Sequence, residues 1–208
     1  LDHIFFINSN KKILKKTIYL PNPISFPVIK KKIKKAKIIL SVGRLDYIKG
    51  FDILIKAWQL IYLKYPEWKI QIVGSGEEEK NLKKLIVEND IKNIELIPEQ
   101  SSIEDFYEKS SIYVMSSREE GFPMVLLEAM ACGLPIISFA NEGAKAIIEH
   151  NKTGILVKSF DNNSLSSSIQ RLIGDKNTRN KLSYNANLEA KKYNINSIGL
   201  RWEEVLNI

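Results

Sequence analysis

Short apolar runs and longer amphipathic stretches alternate along this chain. Eight apolar runs of strand type are present, namely Ile4–Ile7, Lys16–Leu20, Lys37–Val42, Lys69–Val73, Ile94–Ile97, Ile112–Met115, Ile136–Phe139 and Gly154–Val157. Stretches with helical spacing separate most of them, for example Phe51–Tyr65, Glu77–Glu88 and Met124–Cys132. Strands that alternate with helices favour a parallel sheet covered on both faces, so the sequence predicts an α/β fold with a doubly wound, Rossmann-like parallel sheet.

Two basic residues follow the predicted strand Lys37–Val42. The loop Gly43–Gly50 carries Arg44 and Lys49 and leads into the predicted helix Phe51–Tyr65. Open α/β sheets bind ligands at the carboxyl ends of their strands, where this loop lies. An arginine fork and a lysine charge together suit a diphosphate. A pair of solvated loop charges is an equally plausible interpretation of these two residues.

A second segment, Ser116–Pro135, is rich in polar residues and glycine at its start. It follows the strand Ile112–Met115 and enters a helix near Pro123, at a position that helices accept for proline. We expect the first amides of that helix, at Gly121, Phe122 and Met124, to face a ligand pocket suited to an anion or a hydroxyl-rich group.

Two glutamates flank the start of that helix. Glu120 lies beside the predicted anion pocket, so we expect its carboxylate to accept hydrogen bonds, for instance from a sugar. Glu128 lies among apolar residues and needs a hydrogen-bond donor, which a ribose diol would supply. An exposed helix position is the alternative interpretation of Glu128.

These segments resemble a known family. Gly43-Arg-Leu-Asp-Tyr-Ile-Lys-Gly50, Glu120-Gly-Phe-Pro and Glu128-Ala-Met-Ala-Cys-Gly-Leu-Pro are similar to the C-terminal, donor-binding half of retaining GT-B glycosyltransferases of family 4, the glycosyl transferases group 1. Glu120, and not Glu119, has the E-x7-E spacing to Glu128. The segment around Gly143 departs from the family, because Ala144 and Lys145 follow where proline and an acid are common.

The resemblance implies roles for individual residues. Arg44 and Lys49, with Gly43 beside them, would hold the diphosphate of a nucleoside-diphosphate sugar such as a UDP-sugar. Glu120 and the backbone of Gly121, Phe122, Pro123 and Met124 would address the donor sugar, and Glu128 would bind the ribose. Ile97 and Pro98 would lie beside the base. Glu120, Arg44 and Lys49 are the candidate catalytic residues.

The implied activity is sugar transfer with retention to a glycan or lipid-linked acceptor, in cell-surface polysaccharide or glycolipid biosynthesis. The resemblance implies no cofactor and no metal, and an isolated donor-binding half would be inactive. Two alternatives stay open, namely another GT-B enzyme, such as a glycan synthase or nucleotide-sugar epimerase, and a non-catalytic nucleotide-sugar-binding module.

The resemblance also divides the chain. Residues 1–22 would be the end of the N-terminal domain and a linker, residues 23–194 the donor-binding domain, and residues 195–208 a crossover helix. The missing N-terminal domain of the same protein would then be a partner. Trp202 on the last helix would be exposed without that domain or would pack on the present one.

The net charge of +7 is local. Residues 1–40 carry ten lysines and one acid, which leaves −2 for the other 168 residues, so the sequence does not indicate nucleic-acid binding. The run Lys30–Lys37 is interpreted as a solvated linker, with peripheral contact to an anionic membrane as the alternative. No apolar stretch is long enough to span a bilayer, and a cytoplasmic location is expected, possibly at the inner face of the membrane. Cys132 is the only cysteine, which excludes an internal disulfide.

Overall fold

A computed structural model describes residues 4–5, 18–24 and 35–206 of the chain. Two short strands, β1 (Ile4–Phe5) and β2 (Ile18–Tyr19), pair antiparallel. The rest of the predicted strands Ile4–Ile7 and Lys16–Leu20 lies outside the described residues, except Leu20. Residues 30–34 of the lysine run also lie outside them.

A six-stranded parallel sheet forms the centre of the described part. Its strands have the predicted positions, and their bounds are β3 (Ile38–Val42), β4 (Lys69–Val73), β5 (Ile94–Ile97), β6 (Ile112–Met115), β7 (Ile136–Phe139) and β8 (Gly154–Val157). The strand order is β5-β4-β3-β6-β7-β8, and all neighbours are parallel. The predicted fold class is therefore confirmed.

Helices connect and follow the strands. Their bounds are α1 (Phe51–Gln59), α2 (Glu79–Glu88), α3 (Glu104–Lys109), α4 (Met124–Ala131), α5 (Glu142–Ile147), α6 (Asn162–Gly174), α7 (Lys176–Ala190) and α8 (Ile195–Leu206). Short 3₁₀ turns lie at Tyr47–Lys49, Tyr62–Lys64 and Lys191–Tyr193. The division into residues 1–22, 23–194 and 195–208 stays a prediction.

The first helix is shorter than its pattern predicts. We expect a helix to Tyr65, whereas α1 ends at Gln59 and the chain continues into the 3₁₀ turn Tyr62–Lys64. Pro66 disfavours the helical conformation of Tyr65, which adopts φ −132° and ψ 59°. The helical spacing of this stretch nevertheless places Leu54, Trp58 and Ile61 in the core, where all three are buried.

The core lies on both sides of the sheet. One cluster joins α1 and α6 to one face, and a second joins α4, α3 and the end of α7 to the other. Strands β6 and β7 are buried along their whole length, as expected for central strands of a parallel sheet. The burial fixes the carboxyl ends of the strands along one edge.

The chain changes direction across the sheet between β3 and β6. From β3 it adds β4 and β5 on one side, then crosses over and adds β6, β7 and β8 on the other. The loops that leave β3 and β6 therefore start side by side at the carboxyl edge of the sheet, where the ligand crevice of a doubly wound fold lies. Doubly wound sheets bind ligands at such a switch point.

Candidate active site

Asp46 holds the loop after β3 together through hydrogen bonds to two other residues of the loop. Its carboxylate caps the 3₁₀ turn by accepting the Lys49 amide at 3.0 Å, and it pairs with Arg44 Nε at 2.7 Å. Burial alone would raise the pKa of Asp46, but the hydrogen bonds from Arg44 and the Lys49 amide more than offset it and lower the pKa. The side chain of Arg44 is 73% exposed. Sequence reasoning missed Asp46 because a single acid in a loop carries no distinctive pattern.

The loops after β3 and β6 are locked together at Gly50. Gly50 has φ +64°, and a Cβ there would lie 2.1 Å from the carbonyl oxygen of Ser116. Ser116 Oγ donates to the carbonyl of Lys49 at 2.9 Å, and the Arg118 amide donates to that of Ile48 at 2.7 Å. Only glycine allows this approach, because any Cβ would collide with a backbone atom. The lock sets the position from which the Lys49 side chain extends.

Lys49 and Glu120 meet in the crevice between the two loops. Lys49 Nζ lies 2.7 Å from Glu120 Oε1, and Ser117 Oγ donates to the same oxygen at 2.7 Å. The side chains are 26% and 12% exposed, respectively, so the pair is largely shielded from solvent. The structure thus brings together one cation and one acid that the sequence places at a common site.

The backbone of Glu120 is held from the other side by α5. The amide of Gly143 donates to the Glu120 carbonyl at 3.0 Å, and Asn141 Nδ2 donates to the Ser117 carbonyl at 3.0 Å. A Cβ at Gly143 would lie 2.6 Å from the Glu120 carbonyl oxygen. Ala144 and Lys145, which depart from the family pattern, follow this contact and leave it intact.

Glu128 is neither exposed nor without a protein partner. It is half-buried in α4 and accepts a hydrogen bond of 2.8 Å from the hydroxyl of Tyr107 to its Oε2 atom. Burial raises the pKa of Glu128, with a smaller contribution from Glu104, while the Tyr107 hydrogen bond opposes the rise. The exposed-position interpretation is therefore wrong, because the helix turns Glu128 toward the core side of α3.

Tyr113 lies beneath Tyr107, the hydrogen-bond partner of Glu128. This fully buried residue of β6 stacks on Tyr107 and directs its hydroxyl toward the carbonyl of Val42, at 3.4 Å, where the loop of Arg44 begins. Burial raises the pKa of Tyr113, and the charges of Glu128 and Glu120 raise it further. The Arg44 side chain, in contrast, turns to Asp46.

The start of α4 has the predicted location beside Glu120. Pro123 precedes the first helical residue, Met124, whose amide belongs to the first turn and so lacks a carbonyl partner within the helix. Gly121 is exposed, and the half-buried Phe122 packs near Tyr193 with ring centroids 6.3 Å apart. The four residues Gly121–Met124 thus follow directly on Glu120, and their contact with a donor sugar stays a prediction.

The ends of β4 and β5 continue the edge beyond the β3 loop. A Cβ at Gly74 would lie 1.9 Å from the Gly43 carbonyl oxygen, and one at Gly76 would lie 2.4 Å from that of Leu45. These glycines let two loop backbones touch, which their Gly-x-Gly spacing alone does not predict. Ile97 is half-buried at the end of β5 and Pro98 is exposed next to it. Their predicted contact with a base stays a prediction.

Lys35, in the second half of the lysine run, is bound to two backbone carbonyls. Its ammonium donates to the carbonyls of Tyr107 at 3.3 Å and of Cys132 at 3.2 Å, and burial lowers the pKa of this lysine. The ends of α3 and α4 leave carbonyls without helical partners, and Lys35 serves two such groups. Lys35 is therefore engaged within the protein, while Lys37 pairs at the surface with Glu67. A solvated linker or a membrane contact of the remaining run stays a prediction.

Neither a three-residue metal cluster nor a membrane-spanning helix lies within the described residues. Across residues 35–206 and the shorter described ranges, no group of three histidine, cysteine or acidic side chains is arranged to hold a metal ion. No helix in this part of the chain is both long and apolar enough to cross a bilayer.

Curated glycosyltransferases are similar in sequence to this chain. An uncharacterized glycosyltransferase of Haemophilus influenzae is 41% identical over 172 residues, which cover 82% of this chain and 49% of that protein. The amylovoran biosynthesis glycosyltransferase AmsD of Erwinia amylovora is 31% identical over 176 residues, or 84% of this chain and 49% of that protein. The chain thus spans about half the length of these relatives.

The fold is also that of solved GT-B glycosyltransferases. The pneumococcal O-GlcNAc transferase GtfA, solved with UDP and GlcNAc, superposes with a TM-score of 0.82 at 24% identity, over 91% of this chain and 39% of that one. Residues 25–189, which include β3 to β8 and every candidate site residue, match the family Glycosyl transferases group 1. The chain belongs to the glycosyl transferases group 1 family.

Proposed function

We propose that this chain is the donor-binding half of a retaining glycosyltransferase. The enzyme transfers a sugar from a nucleoside-diphosphate sugar to a glycan or lipid-linked acceptor, in cell-surface polysaccharide or glycolipid biosynthesis. The Lys49–Glu120 pair at the switch point of the sheet carries this proposal, because it places a cation and a hydrogen-bond acceptor in one shielded crevice. Family membership and the similarity to AmsD support the same activity.

The donor lies along the carboxyl edge of the sheet in this proposal. Arg44 and Lys49 neutralise the diphosphate, with Arg44 contributing its fork and Lys49 a point charge. Glu120 and the amides at the start of α4 bind the donor sugar, and Glu128 accepts hydrogen bonds from the ribose. The base lies toward Ile97 and Pro98, beyond the Gly74–Gly76 turn.

Transfer proceeds by displacement on the face from which the diphosphate leaves. The bond between the sugar C1 and the diphosphate oxygen breaks while the acceptor oxygen forms a new bond to C1. The departing phosphate oxygen takes the acceptor proton, so no side chain needs to act as the base. Arg44 and Lys49 stabilise the charge that develops on the leaving diphosphate, and the reaction needs no divalent ion.

The test is a transfer assay on the complete protein. Radiolabelled UDP-sugars and GDP-sugars are incubated with membrane extracts, and label incorporated into polymer or lipid is measured for wild type, Lys49→Ala and Lys83→Ala. Lys83 is a matched control, because it pairs with Glu79 on the surface of α2. We expect incorporation by wild type and Lys83→Ala, loss in Lys49→Ala, and retention of the anomeric configuration in the product.

Other results would replace the proposal. Conversion of one nucleotide sugar into another, without transfer, would indicate an epimerase. Nucleotide binding without any turnover by the complete protein would indicate a non-catalytic binding module. Inversion at the anomeric carbon would contradict the displacement mechanism while leaving the donor site in place.

A further inference from the structure

The proposed ribose-binding glutamate is oriented by a buried tyrosine. Tyr107 lies in α3, is fully buried and directs its hydroxyl at Glu128 Oε2, 2.8 Å away. A buried hydroxyl without an acceptor is costly, so this hydrogen bond ties two helices that are separated along the chain by β6. Glu128 Oε1 accepts no hydrogen bond from any side chain or amide within the described residues.

The surroundings of Tyr107 restrict its movement. Its ring stacks on that of Tyr113, with centroids 5.6 Å apart, and its backbone carbonyl accepts from Lys35. A ring held on one face by an aromatic neighbour and at its backbone by an ammonium has little freedom to turn. The direction of its hydroxyl, and with it the rotamer of Glu128, is therefore fixed before a ligand binds.

We propose that Tyr107 is a positioning residue for the nucleoside part of the donor. Its hydroxyl holds one carboxylate oxygen of Glu128, so that the other oxygen faces the ribose hydroxyl groups in a fixed orientation. Preorganisation of this kind increases affinity because less side-chain freedom is lost on binding. The inference rests on the proposed function, since it assigns a supporting residue to the proposed ribose contact.

The hydrogen bond also sets the pH range in which Glu128 is charged. The ionisable groups around its carboxylate are Glu104 and Tyr107 on α3, Tyr113 on β6 and Cys132 at the end of α4. Burial raises the pKa of Glu128, and Tyr107 counteracts the rise by stabilising the carboxylate. Without the hydroxyl, Glu128 takes up its proton at a higher pH.

The test compares Tyr107→Phe with wild type by calorimetry. The probes are UDP, GDP and inorganic pyrophosphate. Each is titrated between about pH 4.5 and about pH 8, a range that begins near the ordinary glutamate pKa. For whichever nucleotide wild type binds, we expect about a tenfold loss of affinity, the size of one hydrogen bond to a charged group. We also expect the acidic midpoint to move to higher pH, with pyrophosphate affinity unchanged.

Two further variants make the test specific. Tyr62→Phe removes a hydroxyl that bonds a carbonyl far from the site and should bind nucleotide like wild type. In a Glu128→Ala background, Tyr107→Phe should cause no further loss of affinity. If Tyr107→Phe does not fold, Glu128→Asp keeps the charge but withdraws it from Tyr107, and it should lose nucleotide affinity as Glu128→Ala does.

The outcomes separate this inference from the proposed function. Weak nucleotide binding by Glu128→Ala together with normal binding and an unchanged pH midpoint for Tyr107→Phe overturns the role of Tyr107 and keeps the donor site. Normal binding by Glu128→Asp overturns it as well. Failure of wild type to bind any of the probes overturns the donor site, and the role of Tyr107 with it.

Discussion

The ammonium of Lys49 lies 2.7 Å from Oε1 of Glu120, although 71 residues separate the two along the chain. Lys49 follows β3 and Glu120 follows β6, the two strands between which the sheet changes direction. The backbone lock between Gly50 and Ser116 fixes their approach. The contact therefore depends on loop geometry as much as on charge.

Gly50→Ala should disrupt this lock. Alanine would have to adopt the left-handed conformation of Gly50, and its Cβ would collide with the Ser116 carbonyl. We therefore expect the free energy of unfolding, measured in urea, to fall by more than about 2 kcal/mol. Nucleotide affinity should fall with it. Gly174→Ala is the control, because a Cβ at the end of α6 meets no atom within 4 Å, and it should be neutral or stabilising. Equal stability of the two variants would contradict the lock.

Glu128→Gln should stabilise the protein at neutral pH while weakening nucleotide binding. The raised pKa of Glu128 means that its charged form is disfavoured in the folded state, so its ionisation lowers stability as the pH rises from the unfolded pKa through the folded one. The amide oxygen of glutamine can still accept from Tyr107. At pH 7, urea unfolding should therefore give the variant a larger free energy of unfolding than wild type. This difference in stability should shrink below about pH 4, where Glu128 of wild type is protonated and as neutral as the glutamine. A variant that is less stable than wild type at pH 7 would refute this interpretation.

Lys35→Ala and Lys37→Ala should differ in stability. Lys35 donates to two carbonyls at helix ends, and its loss should cost roughly 1–3 kcal/mol in urea unfolding. Lys37 is an exposed partner of Glu67, and its loss should change stability by less than about 1 kcal/mol. Similar losses for both would contradict the structural role of Lys35.

The same pair of variants tests the proposed membrane contact. In sedimentation with anionic vesicles at low salt, Lys35→Ala should bind like wild type, because this ammonium is already engaged within the protein. Weaker binding by Lys37→Ala alone would support a surface contact through the rest of the run. Absence of any sedimentation by wild type would exclude the membrane interpretation.

Chelation of divalent ions should leave donor binding and transfer unchanged. In the proposed function, Arg44 and Lys49 neutralise the diphosphate without a metal ion. EDTA should therefore alter neither the affinity for UDP or GDP nor the rate of label incorporation. Restoration of lost activity by added magnesium or manganese would contradict this assignment.

Much of the fold follows from the sequence. Each run of strand type contains a strand where the structure describes it, and the central strands β6 and β7 are fully buried, as apolar runs in a parallel sheet are expected to be. Helix ends were less predictable, as Pro66 shows at the end of α1. The positions of Arg44 and Lys49 after β3 and of Glu120 after β6 follow from the predicted strands, whereas the roles of these residues and of Glu128 stay predictions.

The partners of these residues could not be predicted. Asp46 binds Arg44, Tyr107 binds Glu128 and Lys35 binds two carbonyls, and each contact depends on side-chain rotamers or on segments far apart in sequence. A tyrosine in a short helix has no pattern that indicates the direction of its hydroxyl. The close contact of Gly74 with Gly43 likewise appears only when both loops are positioned.

The diphosphate of a nucleotide sugar is proposed to bind in the crevice beside Lys49. The decisive measurement is calorimetric titration of UDP and GDP into wild type, Lys49→Ala and Lys83→Ala. We expect one of the two nucleotides to bind to wild type and to Lys83→Ala. We also expect Lys49→Ala to lose roughly tenfold to a hundredfold in affinity, the range expected for a hydrogen bond between charged groups. Equal affinity of Lys49→Ala and wild type would contradict this proposal.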